Sequence, residues 1–175
     1  MKQRAGVYGR VCFRGGRARM ELYTVSFFGH RRIQDFQAAE ARAEKLVRTL
    51  LAEKEYVDFL VGREGDWDQI AASAVRRFKR LVRNDNSSLI WVLPYATATL
   101  RDNRDDFEAY YDEVEVCEAA AESHPKQAFQ IRNQHMVDRS DLAVFYVEHA
   151  SGGAYQTLRY AQRKKKAVLN LAIES

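Results

Sequence analysis

The feature that most constrains the fold is an apolar stretch near the start of the chain that ends abruptly in a glycine and three bases. It reads Leu22-Tyr23-Thr24-Val25-Ser26-Phe27-Phe28-Gly29-His30-Arg31-Arg32. The apolar run has the length of a buried β-strand, and a glycine allows the backbone to turn sharply where the strand stops. An amphipathic helix pattern follows over residues 36–54, with Asp35 or Gln34 as its cap, so the stretch predicts the first half of a βαβ unit. Turns of this kind present backbone N–H groups to phosphate in α/β proteins.

The rest of the chain continues the alternation of strands and helices. The apolar pattern predicts further strands over residues 56–61, 88–93, 113–117, 141–147 and 167–171, and helices over residues 69–82, 125–137 and 154–163. Residues 97–106 are polar and are predicted to form a loop, followed by a helical turn over 107–111. Such alternation predicts an α/β fold, a Rossmann-like three-layer sandwich with a mainly parallel sheet of five to six strands.

Length and charge indicate one domain with a basic leader. A chain of 175 residues is expected to form a single domain, here residues 20–175. Residues 1–19 contain six bases and no acid, and without them 22 bases face 24 acids. We expect this leader to be poorly ordered, either because Met20 is the natural start or because the leader is an arm that touches nucleic acid. The acidic balance of the remainder argues against nucleic acid as a partner of the domain itself.

The cysteines and the hydropathy pattern bear on compartment. Cys12 and Cys117 have no metal-binding or redox spacing, which is typical of free thiols in a reducing compartment. No window approaches 18 consecutive apolar residues, so we expect no membrane partner and a cytoplasmic protein. Rossmann-like sheets often pair, and a homo-oligomer is therefore compatible with this fold class.

Three predicted strands end in glycine turns that lead to helices. The turns contain Gly29, then Gly62 with Gly65, then Gly152 with Gly153. In a parallel sheet these ends lie on the same edge, and ligands bind there at the point where strand order reverses. If the first three strands wind one way and the later strands return beside the first, the reversal falls between the turn at Gly29 and the turn at Gly152.

The residues in these turns suit an anionic ligand. Gly152 and Gly153 allow a phosphate to approach the backbone at a helix N-terminus, and Ser151 and Thr157 offer hydroxyls. Bases follow the first turn, and arginine grips phosphate through two hydrogen bonds. A structural interpretation stays open for each residue: His30 as a cap, Arg31 and Arg32 as solvated charges, Asp66 and Asp68 as helix caps, and Arg132-Asn133 as polar residues of a helix. Glu64, Asp66 and Asp68 are also an alternative site for a divalent cation.

Four motifs in this order resemble the SLOG superfamily. They are Phe28-Gly29-His30-Arg31, Gly62-x-x-Gly65-x-x-Asp68, Arg132-Asn133-x-x-Met136-Val137-Asp138, and Ser151-Gly152-Gly153-Ala154-Tyr155-Gln156-Thr157. The superfamily gathers the DNA-processing protein DprA (Smf), the LOG phosphoribohydrolases and the YpsA-like proteins. The resemblance covers Met20 to the C-terminus and is nearest to small YpsA-like bacterial members.

The resemblance implies a Rossmann-like fold and a nucleotide or nucleotide-derived ligand. We expect no cofactor and no metal. The predicted ligand-binding residues are Gly29, His30, Arg31, Gly62, Gly65, Asp68, Arg132, Asn133, Ser151, Gly152, Gly153 and Thr157. In LOG enzymes the glycine-rich turn is followed by a catalytic glutamate, whereas Leu158, Arg159 and Tyr160 stand here.

We therefore expect a nucleotide-binding, sensor-like domain, with catalysis left open. One alternative is a nucleotide hydrolase in which Glu64, Asp66 or Asp68 is the base and His30 the acid. Another is a single-stranded DNA-binding module like DprA, with the basic face of the 69–82 helix as its footprint. Tyr155 is a candidate for stacking on a base.

Overall fold

The structure, a computed structural model, describes residues 11–12 and 20–173. Seven strands are present in this part of the chain. They are β1 (Val11–Cys12), β2 (Met20–Gly29), β3 (Tyr56–Val61), β4 (Ser87–Leu93), β5 (Glu113–Val116), β6 (Leu142–Tyr146) and β7 (Ala167–Asn170).

Helices follow most of the strands. They are α1 (Phe36–Glu53), α2 (Asp66–Leu81), α3 (Ala98–Asp102), α4 (Arg104–Tyr110), α5 (Glu118–Ala121), α6 (Pro125–Asp138) and α7 (Gly152–Arg163). Asp35 caps α1, because its Oδ1 accepts a hydrogen bond from the Ala38 backbone N–H at 3.0 Å. Pro125 occupies the first turn of α6, where its missing N–H costs nothing.

Strands β2 to β7 form a six-stranded parallel sheet in the order β5-β4-β3-β2-β6-β7. The order reverses at β2, which pairs with β3 on one side and with β6 on the other. The α/β class, the parallel sheet and the position of the reversal are therefore as the sequence predicted. The strand β1 pairs antiparallel with β2 and lies off this order.

Helices cover both faces of the sheet, which makes three layers. On one face α1, α2 and α4 pack on side chains such as Phe27 and Phe59. On the other face α5, α6 and α7 pack on side chains such as Phe28 and Phe145. Neighbouring residues of β2 thus point into different cores, as the two-residue period of a strand requires. A strand covered on both faces reads as a continuous apolar run, which explains the opening stretch.

Three local predictions were wrong. Residues 97–106 were expected to be a loop but contain α3 and the start of α4, because Thr97 accepts a hydrogen bond from the Leu100 N–H at 3.1 Å and so caps α3. The second long helix begins at Asp66 rather than residue 69. The predicted amphipathic pattern begins with Phe36, yet this residue lies in the first turn of α1 and is 48% exposed rather than buried.

The predicted leader falls mostly outside the described residues. Within it, Val11–Cys12 forms β1 and pairs with Met20 and Glu21 of β2. The leader and its boundary stay predictions. No helix in the described part of the chain is both long and apolar enough to cross a membrane.

Candidate functional site

A cavity of about 360 Å³ opens at the carboxyl ends of the strands, beside the β2–β6 reversal. Small-molecule sites of open α/β sheets lie at this position, and the volume falls in the range of ligand pockets. Most of the predicted ligand-binding residues line it. They are Gly29, His30, Arg31, Gly62, Gly65, Asp68, Arg132, Asn133, Ser151, Gly152 and Gly153. Their contact with a ligand stays a prediction.

Two glycines allow the turns after β2 and β3 to pack closely. A Cβ on Gly29 would lie within 2.6 Å of the Trp67 Cβ, so the buried indole occupies the space of a side chain. A Cβ on Gly65 would overlap the backbone of Arg31. The two turns are also tied by hydrogen bonds, from the Asp66 N–H to the Arg31 carbonyl at 2.9 Å and from the Ile33 N–H to Asp66 Oδ2 at 3.0 Å. The wall of the cavity beside Arg31 is therefore held by the second turn.

Three charged groups converge over Gly62 on the cavity wall. A Cβ on Gly62 would overlap Glu64 Oε2 and would lie 2.9 Å from Arg132 Nη1 and 3.1 Å from Asp68 Oδ2. Arg132 donates to Glu64 Oε2 at 2.9 Å and to the Val92 carbonyl at 2.7 Å, and only 4% of its side chain is exposed. The absence of a side chain at Gly62 thus makes room for this cluster.

The environment of the cluster raises the pKa of Asp68. Burial, followed by the nearby Glu64 carboxylate, raises the pKa of Asp68 to about 7, although the Arg132 guanidinium opposes the rise. Asp68 Oδ2 also accepts a hydrogen bond from the Glu64 N–H at 2.9 Å. A carboxyl group that takes up and releases a proton near neutral pH therefore faces the cavity.

Two histidines stack at the edge of the cavity. The rings of His30 and His149 lie 3.8 Å apart and nearly parallel, at 9°. His30 Nε2 accepts a long hydrogen bond, 3.4 Å, from the His149 backbone N–H, and the His30 N–H donates to the Tyr146 carbonyl at 3.2 Å. Burial, with His149 as a second cause, lowers the pKa of His30, and Glu148 acts in the opposite direction. Neutral His30 with an accepting Nε2 is thus the favoured form.

The N-terminus of α7, which follows β6, forms another wall of the cavity. Gly152 has φ +84°, a left-handed conformation that favours glycine, and neither Gly152 nor Gly153 has an atom within 4 Å of the place where its Cβ would be. Ser151 precedes the helix but makes no side-chain capping bond. The first N–H groups of a helix lack partners within it and attract anions.

Thr157 is the predicted residue that the structure places outside the cavity lining. It is fully buried, and its hydroxyl donates to the Gly153 carbonyl at 2.9 Å and accepts from Asn133 Nδ2 at 3.1 Å. Thr157 therefore positions Asn133 and the first turn of α7 rather than reaching the cavity itself. This correction follows from helix geometry, because residue 157 lies one turn after Gly153.

The structure shows where the residues with open alternatives lie. Neither Asp66 nor Asp68 caps α2: Asp66 binds the Ile33 N–H, and Asp68 binds the Glu64 N–H. Arg31 lines the cavity, and Arg32 is outside its lining. Tyr155 packs against the core below α7 and is outside the lining as well. Within residues 20–173, no group of three or more His, Cys, Asp or Glu side chains is placed to hold a metal ion.

Sequence reasoning missed several lining residues. His149, Phe129 and Gln130 were not singled out, and Glu64 was considered only as a metal ligand or base. His149 lies just after β6, so the rule that places sites at strand carboxyl ends would have found it. Phe129 lies three residues before Arg132 on α6, which puts the two side chains on one helix face.

The basic face of α2 is mostly paired. Arg77 contacts Glu40 and Glu44 of α1, and Lys79 contacts Asp112 at 2.7 Å. Arg83 contacts Asp85 at 3.0 Å, and the Arg76 guanidinium lies 3.9 Å from the centre of the Tyr110 ring. These contacts reduce the positive charge that the face offers to a polyanion.

Comparisons with known proteins show similarity of structure but none of sequence. No protein-family model matches the chain, and no curated protein sequence matches it. Similar structures include DNA processing protein A (DprA) of Helicobacter pylori, with a TM-score of 0.57 and 17% identity over 83% of this chain. DprA of Streptococcus pneumoniae has a TM-score of 0.60 and 17% identity over 84% of this chain.

The two likenesses show a shared fold. This chain spans 63% of the Helicobacter pylori chain and 49% of the Streptococcus pneumoniae chain. The Helicobacter pylori protein binds single-stranded DNA. Because DprA is a member of the superfamily that the sequence motifs resemble, the fold agrees with that resemblance, and the placement near YpsA stays a prediction.

Proposed function

We propose that the chain is a SLOG-type domain, near the YpsA-like proteins, that binds a nucleotide or a nucleotide derivative in the cavity at the β2–β6 reversal. The phosphate lies at the N-terminus of α7, and His30 and Arg31 form the charged edge of the site. The free, buried thiol of Cys117 supports a cytoplasmic location.

The observation that carries this proposal is the uncapped start of α7. Gly152 and Gly153 leave the backbone bare, Ser151 supplies no side-chain cap, and all three line the cavity. An anion there gains both hydrogen bonds from backbone N–H groups and the favourable end of the helix dipole. Arg31, exposed across the turn, adds a positive charge to the same cavity.

Isothermal titration calorimetry with a panel of nucleotides and nucleotide derivatives tests the proposal. Arg31→Ala is expected to weaken binding by at least about tenfold, because hydrogen bonds to charged groups contribute about 1.5–3 kcal/mol. Arg32→Ala is the matched control: it removes an adjacent exposed base outside the lining, and binding should be unchanged. If no compound gives a heat of binding at millimolar concentration, the proposal is wrong.

A hydrolase is the second candidate, and the carboxyl cluster favours it. Glu64 and Asp68 line the cavity, and Asp68 exchanges its proton near neutral pH. In this alternative Asp68 as carboxylate accepts a proton from the attacking water, and the cavity holds the nucleotide for that attack. Release of base or phosphate from nucleotides, abolished in Asp68→Asn, is the observation required. Equal rates for the wild type and the variant would exclude it.

Single-stranded DNA is the third candidate and rests on the fold shared with DprA. Because most bases on the basic face of α2 are paired, we do not expect this face to be the DNA-binding surface. A gel shift whose affinity falls steeply with salt would favour this candidate, and a nucleotide-only response in the calorimeter would not.

A further inference from the structure

An exposed aromatic ring stands at the rim of the cavity. Phe129 of α6 lines the cavity and is 36% exposed. The neighbouring Tyr95, which follows β4, is also 36% exposed and meets the Phe129 ring edge-to-face, with centroids 5.9 Å apart at 76°. Among the exposed large apolar side chains of residues 20–173, Phe129 is the one that lines the cavity.

Two neighbouring side chains, Arg132 and Tyr95, hold the Phe129 ring in place. The Arg132 guanidinium carbon lies 5.8 Å from the Phe129 centroid, and Arg132 is itself fixed by Glu64 and by the Val92 carbonyl. Tyr95 packs edge-to-face with the same ring. About a third of this packed side chain is nevertheless exposed beside the cavity, and an apolar surface in that position is completed by a flat apolar group of the ligand.

The charges of the cavity restrict which part of the ligand lies there. The α7 N-terminus and Arg31 attract the anionic part, whereas on the Phe129 side the charge of Arg132 is already paired with Glu64. An uncharged aromatic group is the part of a nucleotide that fits the Phe129 side. Gln130, which also lines the cavity, offers an amide that both donates and accepts hydrogen bonds, as the edge of a base requires.

We propose that the Phe129 ring, supported by Tyr95, is the stacking platform for the nucleobase of the ligand, with the Gln130 amide at the base edge. This inference rests on the proposed function and extends it, because it requires a ligand with an aromatic heterocycle at the end remote from the phosphate. The base is carried either by a free nucleotide or by a single strand, and both share this chemistry.

Calorimetry with four kinds of ligand separates the base from the phosphate: nucleoside monophosphates, the corresponding nucleosides, ribose 5-phosphate and a short single-stranded oligonucleotide. Phe129→Ala is expected to weaken base-bearing ligands by at least fivefold, the lower end of the effect of one base–aromatic stack. It should leave ribose 5-phosphate unchanged. Phe129→Leu, which keeps apolar bulk without a ring, should weaken the same ligands, and Phe129→Tyr should not.

Phe36→Ala is the matched control, since Phe36 is 48% exposed and lies outside the cavity lining. Its affinities should equal those of the wild type. Equal affinity of Phe129→Ala and the wild type for every base-bearing ligand would overturn the platform, and so would an equal loss for ribose 5-phosphate.

The same titrations distinguish failure of the platform from failure of the phosphate site. Nucleosides that bind through Phe129 while ribose 5-phosphate fails to bind would support the platform and overturn the proposed phosphate site. If ribose 5-phosphate binds and Phe129→Ala leaves the affinity for nucleotides unchanged, the phosphate site is supported and the platform is overturned. No heat with any of the four ligands would overturn both. Binding of the oligonucleotide but not of mononucleotides would support the platform with a strand as its source.

Discussion

The raised pKa of Asp68 predicts how the free energy of unfolding changes with pH. Asp68 has an ordinary pKa of 3.8 and a pKa of about 7 in the folded protein, because burial and the Glu64 carboxylate disfavour its ionised form. Each tenfold change in proton affinity is equivalent to about 1.4 kcal/mol, so ionising Asp68 in the folded state costs roughly 4 kcal/mol relative to the unfolded state.

The direction of the effect follows from which state holds the proton. Below about pH 4 both the folded and the unfolded protein carry the proton on Asp68, and the group makes no difference. As the pH rises to about 7, the unfolded state releases the proton first, and stability falls. Asparagine resembles the protonated acid and still accepts the Glu64 N–H, so Asp68→Asn should remove this loss.

Urea unfolding of wild type and Asp68→Asn from pH 4.5 to pH 8, followed by the fluorescence of the buried Trp67 and Trp91, measures the difference. We expect the variant to gain about 1 kcal/mol at pH 4.5 and about 2–4 kcal/mol at pH 8. Asp102→Asn is the control, because Asp102 is exposed on α3 and its variant should show no such trend. A gain that is the same at every pH would refute the raised pKa of Asp68.

The remaining predictions concern the glycines, the buried arginine and the histidine pair. Gly65→Ala should lower the free energy of unfolding, measured in urea, by about 1–3 kcal/mol, since its Cβ would overlap the Arg31 backbone. Gly153→Ala has open space around it and should stay within about 1 kcal/mol of wild type. The opposite order would contradict the close packing of the two turns. Arg132→Gln should lower the free energy of unfolding by about 3 kcal/mol, because it leaves the partly buried Glu64 carboxylate unpaired. Arg77→Gln, which breaks an exposed pair, should lower it by less than about 1 kcal/mol. Similar losses would show that burial of the Arg132 pair is unimportant. His149→Ala should raise the pKa of His30 in an NMR titration of the imidazole signals, because the stacked ring opposes its protonation, and an unchanged titration would contradict this cause.

The fold could be predicted where a local pattern is forced by burial. The stretch at Val25–Gly29 is apolar on both faces because both faces of β2 are covered, and this signal also marks β3, β4 and β6. The reversal beside β2 was predicted on the condition that the later strands return beside the first, and the observed strand order fulfils that condition. Short elements without a buried stripe gave no such signal, so α3 was mistaken for a loop although Thr97 caps it.

The sequence by itself determined the alternation of strands and helices, the edge of the sheet where the cavity lies, and the glycines that line it. These are local properties, because a glycine or an apolar period acts within a few residues of its own position. Only the tertiary structure decided which polar groups share that edge. Glu64 and Asp68 meet Arg132 over Gly62 because α6 packs beside the end of β4, where Arg132 binds the Val92 carbonyl, and no spacing between residues 64 and 132 encodes that contact. The packing of α6 likewise directs Phe129 towards the cavity, and the packing of α7 directs Thr157 away from it, since the direction of a side chain depends on what its helix packs against.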